Sequence, residues 1–149
     1  MITGNMREDA YHDYRVRLEL ILHIPTNASE QEIHNLIEAG FLADRVIALF
    51  DLGAITPSER NQIIPFKTLK ARLATNERLT LHESNRLFRF AHIIAMAVTL
   101  FGSNEKAKRW LSKPKSRFVR KAPFAMLSTY LGTRLVEEML IQAAEGFAF

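Results

Sequence analysis

The stretch LTLHESNRLFRFAHIIAMAVTLFG, residues 79–102, decides the fold of this 149-residue chain. Thr80 stands where a helix N-cap is expected, and Glu83 three residues later completes a capping box. Apolar residues follow at helical spacing, and residues 93–101 are apolar on nearly every side. A helix that is apolar all round is normally buried, so this segment is predicted to be the central core helix, ended by Gly102.

Further helix signals lie on both sides of this segment. Ser29 and Glu32 fit a second capping box, and Thr56 and Glu59 fit a third with Pro57 at the first helical position. The fold is therefore predicted to be mainly α. Two of the predicted helices end at Gly40 and Gly53. Four more span residues 57–64, 66–74, 104–111 and 123–130, and a final amphipathic helix follows a break at Gly132.

An exception to this helical pattern lies near the N-terminus. Residues 15–24 read RVRLELILHI, in which every second residue is apolar, and this is the period of a strand. The stretch predicts one short N-terminal strand. Leucine and glutamate are also good helix formers, so a helix stays open as the alternative.

Composition limits the classes of protein to consider. Apolar residues make up 48% of the chain, which is enough to bury a core, and there is no cysteine for disulfides or thiolate metal sites. The first 14 residues mix both charges without an apolar h-region, and the longest apolar run, residues 91–101, is too short to span a bilayer. We expect a cytoplasmic protein with no membrane role.

Positive charge is concentrated in one segment. Residues 103–121 hold eight Lys and Arg residues and one acidic residue, a net charge of +7, whereas the whole chain carries +4 and the remainder therefore −3. Such a segment suggests an anionic partner, either nucleic acid or an acidic protein face. A solvated loop is the alternative.

No pattern in the sequence predicts catalysis, a metal or a cofactor. The five histidines lack metal-ligand spacing, and there is no glycine-rich phosphate loop or nucleophile elbow. His92, on the apolar stretch, is predicted to be a hydrogen-bonded core histidine. We therefore predict that the chain is not an enzyme.

Residues 42–74 have the pattern of a helix-turn-helix, with two short helices on either side of Pro65 behind a supporting helix. Leu69 and Leu73 share one face and are predicted to pack inward. The second helix of such a unit lies in the major groove of DNA. The residues left to contact phosphates or base edges are Lys67, Thr68, Lys70 and Arg72. A plain helical hairpin is the alternative.

The C-terminal tail carries two aromatic residues, Phe147 and Phe149, where chain ends usually prefer polar residues. Such a tail either packs on its own domain or fits a pocket of a partner.

Spaced motifs along most of the chain resemble those of one protein family. Residues 79–91 are similar to the central helix of the Xre/MbcA/ParS-type antitoxins, with Glu83, Ser84, Arg86, Leu87 and Arg89 in register. Arg86 and Arg89 are predicted to be structural or toxin-facing. Downstream, the similar motifs are Phe101-Gly102, Ala107-x-x-Trp110-Leu111 with Pro114, and residues 123–140. Upstream, they are residues 36–41 and 64–69. The resemblance therefore covers roughly residues 24–149.

The resemblance implies an N-terminal extension (residues 1–25), an Xre-like helix-turn-helix region (26–78), and a central helix with a C-terminal toxin-binding domain (79–149). It implies a homodimer that binds operator DNA and a RES-type toxin, an enzyme that degrades NAD. Antitoxins of this family resemble plugs that cover the NAD site of the toxin with their C-terminal region. The toxin-binding residues implied here are Gln142, Glu145, Gly146, Phe147 and Phe149, with Lys113, Lys115 and Arg117 of the basic segment steering the encounter.

The sequence departs from the family pattern at three places. Val119, Arg120 and Lys121 stand where the family has a glycine pair before the proline, Gln142 stands where an arginine is usual, and Ala71 stands where a second basic residue is common. A stand-alone dimeric helix-turn-helix regulator is therefore kept as the alternative function. A helical module with no DNA role is a third.

Overall fold

The computed structural model describes residues 6–146, which form a mainly α fold. Phe147 and Phe149 lie outside the described residues. Between residues 6 and 146, β-structure is limited to two isolated bridges, Leu42–Arg78 and Lys115–Lys121. The described helices are α1 (Glu8–Leu22), α2 (Glu30–Ala39), α3 (Asp44–Asp51), α4 (Pro57–Ile63), α5 (Phe66–Thr75), α6 (Leu81–Phe101), α7 (Asn104–Ser112) and α8 (Tyr130–Ala144), with 3-10 helices at Ser116–Phe118 and Pro123–Ser128.

Helix α6 is the central core helix, as the sequence predicts. The Thr80 hydroxyl accepts a hydrogen bond from the Glu83 backbone at 3.2 Å, while the Glu83 carboxylate accepts one from the Thr80 backbone at 2.9 Å. Every residue from 90 to 98 is buried, and Gly102 ends the helix at a φ of 72°. None of the helices in the described range, α6 included, has the length and apolarity needed to cross a bilayer.

Helix α1 lies where the alternation of apolar residues suggested a strand, so the strand prediction is wrong. Its buried residues Tyr14, Leu18 and Ile21 recur at helical spacing and pack toward α6. Leu20, which a strand would place on the same face as Leu18, is 69% exposed. A two-residue alternation built from leucine, arginine and glutamate is compatible with a helix, and burial against α6 decides between the two periods.

The helices before α6 are tied to its first half. Helices α2 and α4 pack on α6. The Phe41 backbone N–H donates to the Ser84 hydroxyl at 3.0 Å, and the Arg86 guanidinium donates to the Ile63 carbonyl at 2.8 Å. Only Ile64 and Pro65 separate α4 from α5, which confirms the two predicted short helices. Arg86 therefore holds the end of α4 on the core helix.

The C-terminal part packs on the second half of α6 through α7 and α8. The predicted break at Gly132 is wrong, because the chain breaks at Thr129, whose hydroxyl accepts from the Gly132 backbone at 2.9 Å and caps α8. Gly132 lies in the first turn of α8, where a Cβ atom would collide with the Met126 carbonyl oxygen. Arg89 donates to the Leu127 carbonyl at 2.8 Å, so it also has a structural role.

Candidate functional site

The basic loop, residues 113–121, connects α7 to the second 3-10 helix and closes on itself. The Lys115 backbone N–H donates to the Lys121 carbonyl at 3.1 Å, and the Arg120 backbone N–H donates to the Lys115 carbonyl at 3.0 Å. Phe118, at the end of the 3-10 turn, is buried in the core. The cationic side chains of this segment are therefore carried on a loop of fixed shape.

The tip of the basic loop holds two non-glycine residues in the left-handed region. Val119 has a φ of 53° and Arg120 a φ of 66°. A β-branched residue is strained in this conformation, at a cost of about 1–3 kcal/mol. Val119 is nevertheless 85% exposed, so no packing gain offsets the strain.

The three cationic residues predicted to steer a toxin are not equally accessible. Lys113 and Arg117 are exposed, whereas Lys115 is 8% exposed. The Lys115 ammonium lies 4.7 Å from the ring centroid of Trp110, a cation–π contact. Burial, together with the nearby charge of Lys113, lowers the pKa of Lys115 below its usual value. Lys115 thus fastens the basic loop to α7.

Arg117 brings the basic loop to the last helix. Its guanidinium Nη1 donates a hydrogen bond to the side-chain oxygen of Gln142 at 2.9 Å. Glu145 and Gly146, just beyond the end of α8, are exposed. We call Arg117, Gln142, Glu145 and Gly146 the C-terminal surface. The structure thus joins the candidate residues of the basic loop to those of the last helix, through two side chains that are 25 positions apart in the chain.

A buried polar link runs from α1 through α6 to α8. The Tyr14 hydroxyl of α1 lies 2.6 Å from His92 Nδ1 of α6, and His92 Nε2 lies 3.3 Å from a Glu137 carboxylate oxygen of α8. Burial raises the pKa of Tyr14 well above its usual value, so its hydroxyl keeps its proton. The prediction of a hydrogen-bonded core histidine is confirmed. No group of three metal-ligating side chains is found within residues 6–146.

The predicted DNA-contacting residues of α5 differ in their surroundings. Lys67 and Lys70 are exposed, and Thr68 is half-buried. Arg72 instead forms a two-pronged ion pair with Glu83 of α6, with N–O distances of 3.2 and 3.3 Å. In this conformation Arg72 braces α5 against the start of the core helix.

The Arg72–Glu83 pair is charged at neutral pH. Burial of Glu83 by itself disfavours its carboxylate, but hydrogen bonds from Arg72 and from the Thr80 backbone outweigh burial and hold the pKa of Glu83 below its usual value. The same carboxylate raises the pKa of Arg72. Glu83 therefore serves two elements, because it also completes the capping box of α6.

Pattern reading of α5 missed two features. Leu73, predicted to pack inward with Leu69, is 39% exposed, so that prediction is wrong; Leu69 is fully buried. Phe66 is 49% exposed at the first position of α5. The Arg60 guanidinium carbon lies 4.6 Å from the Phe66 ring centroid, and the Lys70 ammonium lies 5.6 Å from it. An aromatic residue after proline, with cations on both sides in sequence, was the available signal.

Comparison with known proteins assigns the C-terminal part. Residues 96–146 match the family described as the Antitoxin Xre/MbcA/ParS C-terminal toxin-binding domain. Over 147 residues, 99% of this chain and 92% of the relative, the sequence is 52% identical to Antitoxin Xre of Pseudomonas putida. The chain belongs to the Xre antitoxin family. A second Antitoxin Xre, from Yersinia enterocolitica, is 30% identical over 113 residues, 74% of this chain and 76% of that relative.

The segment matched to the Xre toxin-binding domain has clear structural bounds. It begins within the buried half of α6, continues through α7 and the basic loop, and ends at Gly146. It contains both Arg117 and Gln142. The C-terminal surface therefore lies entirely within the part of an Xre antitoxin whose family description is toxin binding.

Proposed function

We propose that this Xre antitoxin binds a cognate RES-type toxin that degrades NAD and neutralises it by covering the entrance of its active site. The observation that carries the proposal is the match of residues 96–146 to a toxin-binding domain, within a chain 52% identical to a protein named Antitoxin Xre. The neutralising step is occlusion, so the proposal assigns no catalytic residue and no cofactor to this chain. The two proteins would meet in the cytoplasm.

The covering element in this proposal is the end of α8 with the residues that follow it. Val136, Met139 and Leu140 anchor α8 in the core, and the exposed Glu145 and Gly146 follow at its end. Gln142 lies between the anchored part and the exposed end and is held by Arg117. We include Phe147 and Phe149 in the covering segment because aromatic side chains give large contact areas in a partner's pocket.

The basic loop contributes electrostatic steering. Lys113 and Arg117 are exposed, and the seven net positive charges of residues 103–121 favour encounter with an acidic toxin face. We assign Lys115 to the loop's attachment on Trp110 instead, because the residue is 8% exposed and its ammonium contacts the Trp110 ring.

The experiment is co-expression of this chain with the protein encoded beside it, followed by purification through a tag on this chain. We expect a stable partner whose NAD-consuming activity appears only after the two are separated. The matched variant ends after Leu140, which keeps the anchored part of α8 and removes residues 141–149. The proposal is wrong if the truncated chain still suppresses the partner's activity, or if the full chain purifies alone beside a non-toxic neighbour.

We further propose that the chain is a homodimer that represses its own operon through α4 and α5. Exposed Lys67 and Lys70, with Thr68, are the proposed DNA contacts. Arg72 contributes in our proposal by holding α5 on α6 through Glu83. A dimer suits two half-sites related by two-fold symmetry. The test is binding to the chain's own promoter DNA. In Lys67→Ala, the slope of the logarithm of the binding constant against the logarithm of salt concentration should fall by about one unit.

A stand-alone dimeric DNA-binding regulator is the second candidate. The exposed cations of α5, with half-exposed Phe66 beside them, favour this candidate, since such a surface needs no toxin. Promoter binding by a chain that has no toxic neighbour would support the regulator and exclude the antitoxin proposal.

A further inference from the structure

Phe66 is a large apolar residue placed at the tip of the helix-turn-helix. It is the first residue of α5, directly after Pro65, and half of its surface is exposed. The neighbouring Ile63, Ile64 and Leu69 are fully buried and already supply the core contacts of this turn. Phe66 is therefore not needed to fill the core, and the exposed half of its side chain is accessible to a ligand.

Two cations hold the Phe66 ring. The Arg60 guanidinium carbon lies 4.6 Å from its centroid, and the Lys70 ammonium lies 5.6 Å from it. Arg60 belongs to α4 and Lys70 to α5, so cations from both helices contact the ring. Cation–π contacts of this kind restrain an exposed ring at a strength of about 0.5–1 kcal/mol each. The ring is thereby oriented before any ligand arrives.

The chemistry of this surface fits duplex DNA. The N-terminal residues of a recognition helix are those that reach base edges in the major groove. Among the groups displayed there, the C5-methyl group of thymine is the apolar one, and phenylalanine is among the side chains that contact it. Lys67 and Lys70, exposed beside Phe66, supply positive charge for the phosphates that flank such a base.

We propose that Phe66 reads a thymine methyl group in each half-site of the operator, with Arg60 as the positioning residue for the ring. This inference rests on the proposed DNA-binding function of α4 and α5. It assigns sequence discrimination to an apolar contact, whereas the lysines beside it bind phosphates without reading sequence.

The test compares thymine with deoxyuridine, which lacks only the C5-methyl group. The full-length protein is titrated against duplexes from its own promoter in which each thymine is replaced in turn, and dissociation constants are measured by fluorescence anisotropy at one salt concentration. Losing a buried methyl group corresponds to about fourfold weaker binding. We expect one position per half-site to show this loss with the wild-type protein, and Phe66→Ala to bind both duplexes equally.

A matched control and the alternative outcomes separate the possible failures. Leu73→Ala removes another exposed apolar side chain of α5 and is expected to keep the wild-type sensitivity to the methyl group. If the wild type binds promoter DNA but no deoxyuridine weakens it, Phe66 does not read thymine, although the DNA-binding function stands. Sensitivity that persists in Phe66→Ala also overturns the inference. If promoter DNA binds no better than unrelated DNA, both the DNA-binding proposal and the inference are wrong. The wild-type arm needs no variant and is unaffected if Phe66→Ala fails to fold.

Discussion

The Arg117 guanidinium and the Gln142 side-chain oxygen, 2.9 Å apart, join the basic loop to the last helix. Residue 142 is a glutamine, and in this fold an arginine from the loop lies beside it. The end of α8 therefore has a guanidinium beside it that comes from the basic loop. This contact makes the basic loop and the helix end one surface.

We predict that Arg117→Ala slows association with the toxin severalfold at low salt, because an exposed cation at the rim of an interface mainly accelerates encounter. The difference from wild type should shrink as salt is raised. Stopped-flow association measures it. Arg134→Ala removes an exposed arginine of α8 that pairs with Glu138 at 3.6 Å, outside the C-terminal surface, and should leave the rate unchanged. Equal effects of the two variants would contradict a specific role for Arg117.

Val119→Gly is expected to stabilise the protein by about 1 kcal/mol, because glycine adopts the φ of 53° at this position without strain. Urea unfolding followed by circular dichroism measures the change. The same substitution at Val16, in helical backbone of α1, should lower stability, since glycine disfavours a helix. A less stable Val119→Gly variant would mean that the loop does not carry the strain argued here.

Some of the fold could be predicted from the sequence because its signals are local. The capping boxes at Thr56 and Thr80 involve partners three residues away, and both are present in the structure. The strand prediction for residues 15–24 failed because the same leucines satisfy both periods, and only packing on α6 selects the helix. The prediction of a helix break at Gly132 failed because the close contact of this glycine with the Met126 carbonyl oxygen depends on how the chain folds before α8.

The candidate sites were less predictable, since their decisive contacts join distant residues. Arg72 was assigned to DNA from its place in α5, but Glu83, which it pairs with, lies on another helix. The basic charge of residues 103–121 was evident, whereas the burial of Lys115 under Trp110 was not. Spacing identifies which residue types share a helix face, and it does not identify which of them the tertiary fold uses as internal partners.

Replacing Glu83 with Gln is expected to cost about 1.5–3 kcal/mol of unfolding free energy at pH 7, typical for hydrogen bonds to a charged group. The folded-state pKa of Glu83 lies below its unfolded value, so the carboxylate's contribution is present above the unfolded pKa and is lost as pH falls through the folded pKa. The difference in unfolding free energy between wild type and Glu83→Gln should therefore disappear in acid. Urea unfolding from pH 7 to pH 3 measures it, with Glu105→Gln on the exposed surface of α7 as control. If the difference in unfolding free energy does not depend on pH, Arg72 and Glu83 do not form the charged pair described here.

Tyr14→Phe should destabilise the protein by about 1–3 kcal/mol, because it removes the hydroxyl and leaves His92 Nδ1 buried without that partner. Thermal unfolding measures the loss. Tyr11→Phe in the same helix, where the hydroxyl is a half-buried acceptor from Arg15 at 3.1 Å, should cost less. Similar losses in both variants would show that the buried link between α1, α6 and α8 contributes no more to stability than the Tyr11 contact does.

The central proposal, that the C-terminal surface neutralises an NAD-degrading toxin, is tested most directly by measuring NAD hydrolysis. The purified toxin is titrated with the full chain, with a chain ending after Gly146, and with one ending after Leu140, each checked for native helix content. We predict that the full chain abolishes hydrolysis at stoichiometric amounts and that the chain ending after Leu140 does not inhibit. Inhibition by the shortest chain equal to that by the full chain would contradict the account.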